Sequence, residues 1–138
     1  MIHPATLLLY VLAALAVGVA PLDAQAIDRA APAVVTVDPS LAKRGEHLWR
    51  KHHCAQCHTF GKGALIGPDL RGVAHRRTVT WLRQWLRETD RMLQRDSTAV
   101  VLLASFGGVR MPTHGLSEPE VEALVHFLTR EDAKQAGR

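Results

Sequence analysis

Cys54-Ala55-Gln56-Cys57-His58 is the stretch that decides how this chain is built. Two thiols stand three positions apart, and an imidazole follows at once. Sulfur adds to carbon whereas neutral imidazole binds metal, so the string brings two kinds of chemistry to one place. Covalent attachment of a c-type haem needs that combination. Each thiol forms a thioether with one vinyl group of a single porphyrin, and the histidine falls beneath the iron as its proximal ligand. The same residues have other uses. A Cys-x-x-Cys pair at a helix start also serves as a redox dithiol, but that arrangement follows a strand of a βαβ unit, and no strand-rich pattern precedes Cys54. Cys54 and Cys57 with two of the eight histidines would make a four-ligand zinc site, yet no second ligand pair stands at a regular spacing.

At 138 residues the chain is one domain, and its two cysteines both lie in this motif, which leaves none for a disulfide framework. Residues 1–26 read as a signal peptide. Leu7 to Val19 is an uncharged apolar run, and Ala24-Gln25-Ala26 fits an A-x-A cleavage site. The run falls short of the ~20 apolar residues that span a bilayer, although an uncleaved anchor is the rival. The expected location is therefore the periplasm, with inner-membrane anchoring as the alternative. An oxidising compartment suits a chain with no spare thiols. Removing residues 1–26 takes away only Asp23 as a formal charge, which leaves 17 basic against 12 acidic side chains, or +5. That excess favours steering toward an acidic partner. Nucleic acid binding is not indicated, because the arginines are spread along the chain and no recognition fold is present.

Residues 27–39 are rich in Ala, Pro and Val and read as a flexible leader. Residues 40–130 form the domain and 131–138 a C-terminal tail. Ser40 is the expected N-cap of a first helix with Leu41, Arg44-Gly45, Leu48 and Trp49 along one side. Phe60 to Val73 is a glycine-rich loop. Thr78 caps a second helix in which Trp81, Leu82, Trp85 and Leu86 recur at helical spacing. Asp96 or Ser97 opens a short segment holding Val100 to Leu103, which periodicity alone leaves open between helix and strand and which its helical neighbours make a helix, ended by Gly107-Gly108. Ser117-x-x-Glu120 is a capping box for the last helix, with Val121, Leu124, Val125 and Leu128 inward. The fold class is all-α, small and wrapped around one cofactor with long Gly/Pro-containing loops.

His58 needs a counterpart across the iron. Met111, Met92, His75, His114 and His126 are the candidates. Met92 lies in a helical segment near Leu93 and reads as core, whereas Met111 sits in a polar loop after Gly107-Gly108 and before Pro112.

The order Cys-x-x-Cys-His, then Gly67-Pro68-Asp69-Leu70, then Met111-Pro112 before an acidic-capped helix resembles the class I c-type cytochromes, the mono-haem cytochrome c domains. The resemblance runs from about Leu41 to Leu128. It implies one haem c with its iron, bound through Cys54 and Cys57 and ligated axially by His58 and Met111, with His114 as the one serious rival to Met111. It also assigns the carbonyl of Pro68 as acceptor for His58, and sets Gly45 opposite Leu124 and Phe127 where the first and last helices cross. Trp81 or Trp85, and Arg71, are candidate haem propionate partners. The function implied is one-electron transfer between donor and acceptor redox proteins, with no enzymatic activity. Alternatives are a membrane-tethered subunit that receives electrons for a respiratory oxidase or reductase and, at a distance, a peroxidase-like or dithiol enzyme. Haem joined through two thioethers stays with the protein when the denatured holoprotein is extracted with acidified organic solvent; colour passing into the solvent would refute the covalent link.

Overall fold

The computed structural model describes residues 35–137, so the signal segment, its cleavage site and most of the leader lie outside the described residues, as does Arg138. Among those described, five α-helices follow in order: α1 Pro39–Lys51, α2 Val73–Arg76, α3 Val79–Met92, α4 Ser97–Ser105 and α5 Glu118–Ala136. A short 3₁₀ turn at Cys54–Gln56 lies between α1 and α2. No strand occurs among the described residues, as an all-α domain requires. No helix among them is long and apolar enough to cross a membrane.

α1 starts two residues before the helix expected after a Ser40 cap. The Asp38 carboxylate accepts from the backbone N–H groups of Ser40 and Leu41 at 2.7 and 3.0 Å. Asp38 is therefore the N-cap, not Ser40. Pro39, with its fixed φ and no N–H to satisfy, takes the first helical position. Ser40 is drawn inside the helix, and its hydroxyl donates to the same carboxylate at 2.6 Å.

α1 and α5 cross in direct backbone contact, and Gly45 is the reason they can. A Cβ placed there would overlap the Ala123 carbonyl and lie 2.7 Å from the Phe127 Cβ. Ala42 and Ala123 are fully buried beside it. A mid-helix glycine costs ~1 kcal/mol against alanine, and the close approach it permits offsets that. Polar bonds bind the same pair of helices. Arg130 reaches Glu46 at 2.9 Å, and the Asp38 N–H donates to Nδ1 of His126 at 3.0 Å. His126 is thereby buried and engaged, rather than packed at the edge of α5.

α3 lies against α5, where Arg83 makes a two-pronged pair with Glu122 at 2.8 Å through both contacts. The segment Val100 to Leu103 is helical: Asp96 caps it through the Ala99 N–H at 2.8 Å. Its apolar residues face both ways, Leu102 and Leu103 half-buried and Val100 and Val101 exposed. At the head of α5, Glu120 accepts from the Ser117 N–H at 2.9 Å, as the capping pattern predicts.

Residues 131–136, expected as a tail, continue α5. They carry Asp132, which is 2% exposed and accepts from the Gly72 and Ala74 N–H groups at 2.6 and 2.7 Å. A buried carboxylate with two donors is structural, so this turn belongs to the domain. Asp69 organises the preceding loop in the same way. It accepts from Gly61, Arg71 and Gly63 at 2.8, 2.8 and 2.7 Å. Burial alone would raise the Asp69 pKa, but the three backbone donors outweigh it and hold the carboxyl at about 2.

Two outcomes follow from these contacts. Gly45→Ala, which would stabilise an exposed helix, should instead lower stability by about 3 kcal/mol through overpacking, read as a fall in Tm. Asp69 binds its proton less tightly when folded than at its ordinary value of 3.8. Its contribution is therefore complete above about pH 4 and lost as pH falls through about 2. Asp69→Asn puts an N–H against Gly63; it should lower Tm at pH 6 and match the wild type near pH 2.

Candidate functional site

His53 is the one non-glycine residue among those described with positive φ, at 54°. This left-handed step turns the chain out of α1 and into the Cys54–Gln56 turn. Cys57 and His58 N–H groups then bond back to the Cys54 carbonyl at 3.2 and 3.0 Å, so both thiols and the imidazole are held on one tight coil. Cys54 and Cys57 are half-buried and unpaired. Burial pushes the Cys54 thiol above its ordinary pKa, and the neighbouring Cys57 adds to the effect.

His58 Nδ1 lies 2.9 Å from the Pro68 carbonyl. A carbonyl only accepts, so Nδ1 carries the proton and Nε2 keeps its lone pair. Burial pushes the His58 pKa down and the Pro68 bond opposes it. Gly67 lets the loop close on that ring, since a Cβ there would sit 2.7 Å from His58 Cε1. Beneath it, Trp49 packs with Phe60 and Phe127 at ring separations of 5.2 and 5.4 Å.

One cleft is lined by Cys54, Cys57, His58, Trp81, Trp85 and Met111. Leucines of α3, α4 and α5 complete its apolar walls. Four features test whether a haem fits here: paired thiols for attachment, an unprotonated imidazole nitrogen, a thioether sulfur and a buried N–H on Trp81 with no partner. An orphaned indole N–H in an apolar cleft costs about 1–3 kcal/mol unless an acceptor arrives. Arg76 and Arg77 line the same cleft, and Arg77 lies 5.3 Å over the Trp81 ring. A flat apolar macrocycle with an anionic edge satisfies every one of these.

The rival residues part company. Met92 is buried in the core, His75 is exposed and His126 is engaged by Asp38. His114 shares the cleft with Met111 and packs on His52 with ring centroids 4.8 Å apart. Burial, then the neighbouring His52, lowers its pKa. Arg71 is exposed and does not line the cleft; Arg76 and Arg77 do. Of the two tryptophans, Trp81 has the free N–H, whereas Trp85 donates to the Met111 sulfur at 3.1 Å. The separation of 26 positions between Trp85 and Met111 hides that contact from a linear reading. No cluster of three or more His, Cys, Asp or Glu able to hold a metal ion occurs among the described residues.

Comparison with known proteins gives the same family from sequence and from shape. The family model for cytochrome c matches residues 42–130. Cytochrome c of Arabidopsis thaliana is 32% identical over 100 residues, which cover 65% of this chain and 88% of that protein. A nitric oxide reductase subunit of Paracoccus denitrificans is 28% identical over 99 residues, covering 65% of this chain but only 57% of that protein's own length. The solved structure of cytochrome c from Rhodothermus marinus superposes with a TM-score of 0.67 at 29% identity, over 72% of this chain and 83% of that one. With a family match over residues 42–130, most of those described, the chain belongs to the cytochrome c family of electron-transfer proteins, whose members carry covalently attached haem c.

Proposed function

We propose that this chain is a periplasmic one-electron carrier in which Cys54 and Cys57 bind haem c covalently and His58 and Met111 are the axial ligands. The observation that carries this is the Nδ1 bond of His58 to Pro68, which leaves Nε2 as a metal donor in the same cleft as the Met111 thioether. Haem c, when bound, supplies a ferric/ferrous couple. The chain's own residues do the rest. His58 is held in one tautomer by Pro68, and Met111 offers a soft sulfur that favours the ferrous state and a high potential. The Trp81 N–H, with Arg77 over its ring, offers a donor to an anionic edge.

With His58 and Met111 both holding the iron, the chain would leave it no position for oxygen, peroxide or substrate, which supports transfer over catalysis. The partners are a donor and an acceptor redox protein. Exposed Lys62, in the loop after the motif, is the first residue to bias their encounter. Cleavage after Ala26 would release the domain into the periplasm. The likeness to a nitric oxide reductase subunit favours a second reading, in which a retained N-terminal segment anchors the domain and it receives electrons for a membrane-bound respiratory complex.

Carbon monoxide and peroxide test the ligand set and the activity together. Reduced wild type should bind carbon monoxide poorly, turn over no peroxide and give up its electron to an acceptor protein. Met111→Ala should open the iron and bind carbon monoxide readily, whereas His114→Ala should behave as wild type. Ready binding and peroxide turnover by the wild type would overturn the carrier assignment.

A further inference from the structure

Trp81 and Trp85 stand one turn apart on α3 with their rings stacked, centroids 5.3 Å apart and planes 11° off parallel. Stacking uses the ring faces and leaves each N–H to find its own acceptor. The N–H of Trp81 is buried with none, and that of Trp85 donates to Met111 Sδ at 3.1 Å. Nothing about a methionine requires that bond. A thioether is a weak acceptor that sits in apolar surroundings without a donor, and an indole nitrogen can only donate.

The indole is held firmly where the sulfur lies. Tryptophan has two side-chain torsions, and the stack on Trp81 restrains both. The Trp85 carbonyl accepts from the Thr89 hydroxyl at 2.7 Å, beside the break in α3 at Glu88, where φ is −134° and ψ is 43°. The Met111 loop is also tied to α3 from outside. Asp90 accepts from Arg110 at 3.1 Å and from the Thr113 hydroxyl at 3.0 Å, one contact on each side of Met111. Asp90 touches the loop but not the sulfur. Trp85 touches the sulfur.

We propose, on the premise that Met111 is the iron's second ligand, that Trp85 is the positioning residue that orients this thioether and sets its strength as a donor. A thioether sulfur has two lone pairs. Trp85 engages one, and the other is left for the metal. Donation from the indole N–H draws electron density from sulfur, and a poorer donor stabilises ferric iron less. Trp85 therefore raises the reduction potential, acting through the ligand rather than on the iron itself. Asp90 holds the loop in place without this electronic consequence.

The decisive variant replaces Trp85 with 3-benzothienyl-alanine, which keeps the fused ring and its stack on Trp81 but has no N–H. Trp85→Phe and Asp90→Ala accompany it. All are measured as holoprotein, by redox titration and by the sulfur-to-iron charge-transfer band of the ferric form. The expected result is a lower midpoint potential in the isostere and in Trp85→Phe. Asp90→Ala should lose the band at lower denaturant concentration yet keep the wild-type potential. Loss of the band in the isostere, with helix content intact, would equally show that the N–H holds the sulfur. An isostere with its band and potential unchanged would overturn the proposal while leaving Met111 as ligand. An equal fall in potential in Asp90→Ala would also overturn it, since any loosening of the loop would then suffice. A wild-type holoprotein with no such band would remove the premise itself.

Discussion

The fold hangs on one contact between two helix backbones. At Gly45 the absence of a Cβ lets α1 settle directly onto the Ala123 carbonyl of α5, and α2 and α3 in turn pack against α5. The end of α1 delivers the coil that holds Cys54, Cys57 and His58. The far end of α5 delivers Asp132, which fixes the start of α2 and closes the loop after His58. A side chain of any size at residue 45 would push the helices apart, and the motif on α1 would move relative to the wall on α5. A close crossing also serves a small domain well, because two apolar helix faces then exclude water over a short length.

Around this frame the loops are held by carboxylates rather than by apolar packing. Asp69 gathers three backbone N–H groups, Asp132 two, and Asp38 two more at the head of α1. Loops rich in glycine have few side chains to bury, so their stability has to come from satisfied backbone donors. This has a functional return. The Pro68 carbonyl that orients His58 sits next to Asp69, so the group that organises the loop also fixes the acceptor. The Met111 side is built differently. α4 carries apolar residues all round, with Leu102 and Leu103 turned to the cleft and Val101 to solvent. Its loop is tied to α3 by Trp85 and Asp90 instead of by its own helix.

Much of this is legible in the linear chain, and for identifiable reasons. The Cys54–His58 string states its chemistry in residue types and spacing. Trp81, Leu82, Trp85 and Leu86 state a helix through their period, and Ser117 with Glu120 states where the last one begins. Two boundaries differ from their linear reading because a stronger competitor intervenes. Asp38 before Pro39 displaces Ser40 as a cap, and the polar end of α5 has the composition of a tail although Asp132 is buried against α2.

What sequence alone determined, then, was the class of fold, the order of four of the five helices and the residue types that point to a haem, since each depends on residues close together in the chain. Tertiary structure decided which distant groups share a site. It brought Met111 and His114 into one cleft with His58, although they lie more than fifty positions away in the chain. It put Arg76 and Arg77 at the cleft and left Arg71 exposed. It also divided two neighbouring tryptophans between an unfilled N–H and a thioether partner. Those outcomes rest on contacts between residues far apart in sequence, and only the packing of α3, α4 and α5 about the Gly45 crossing sets them.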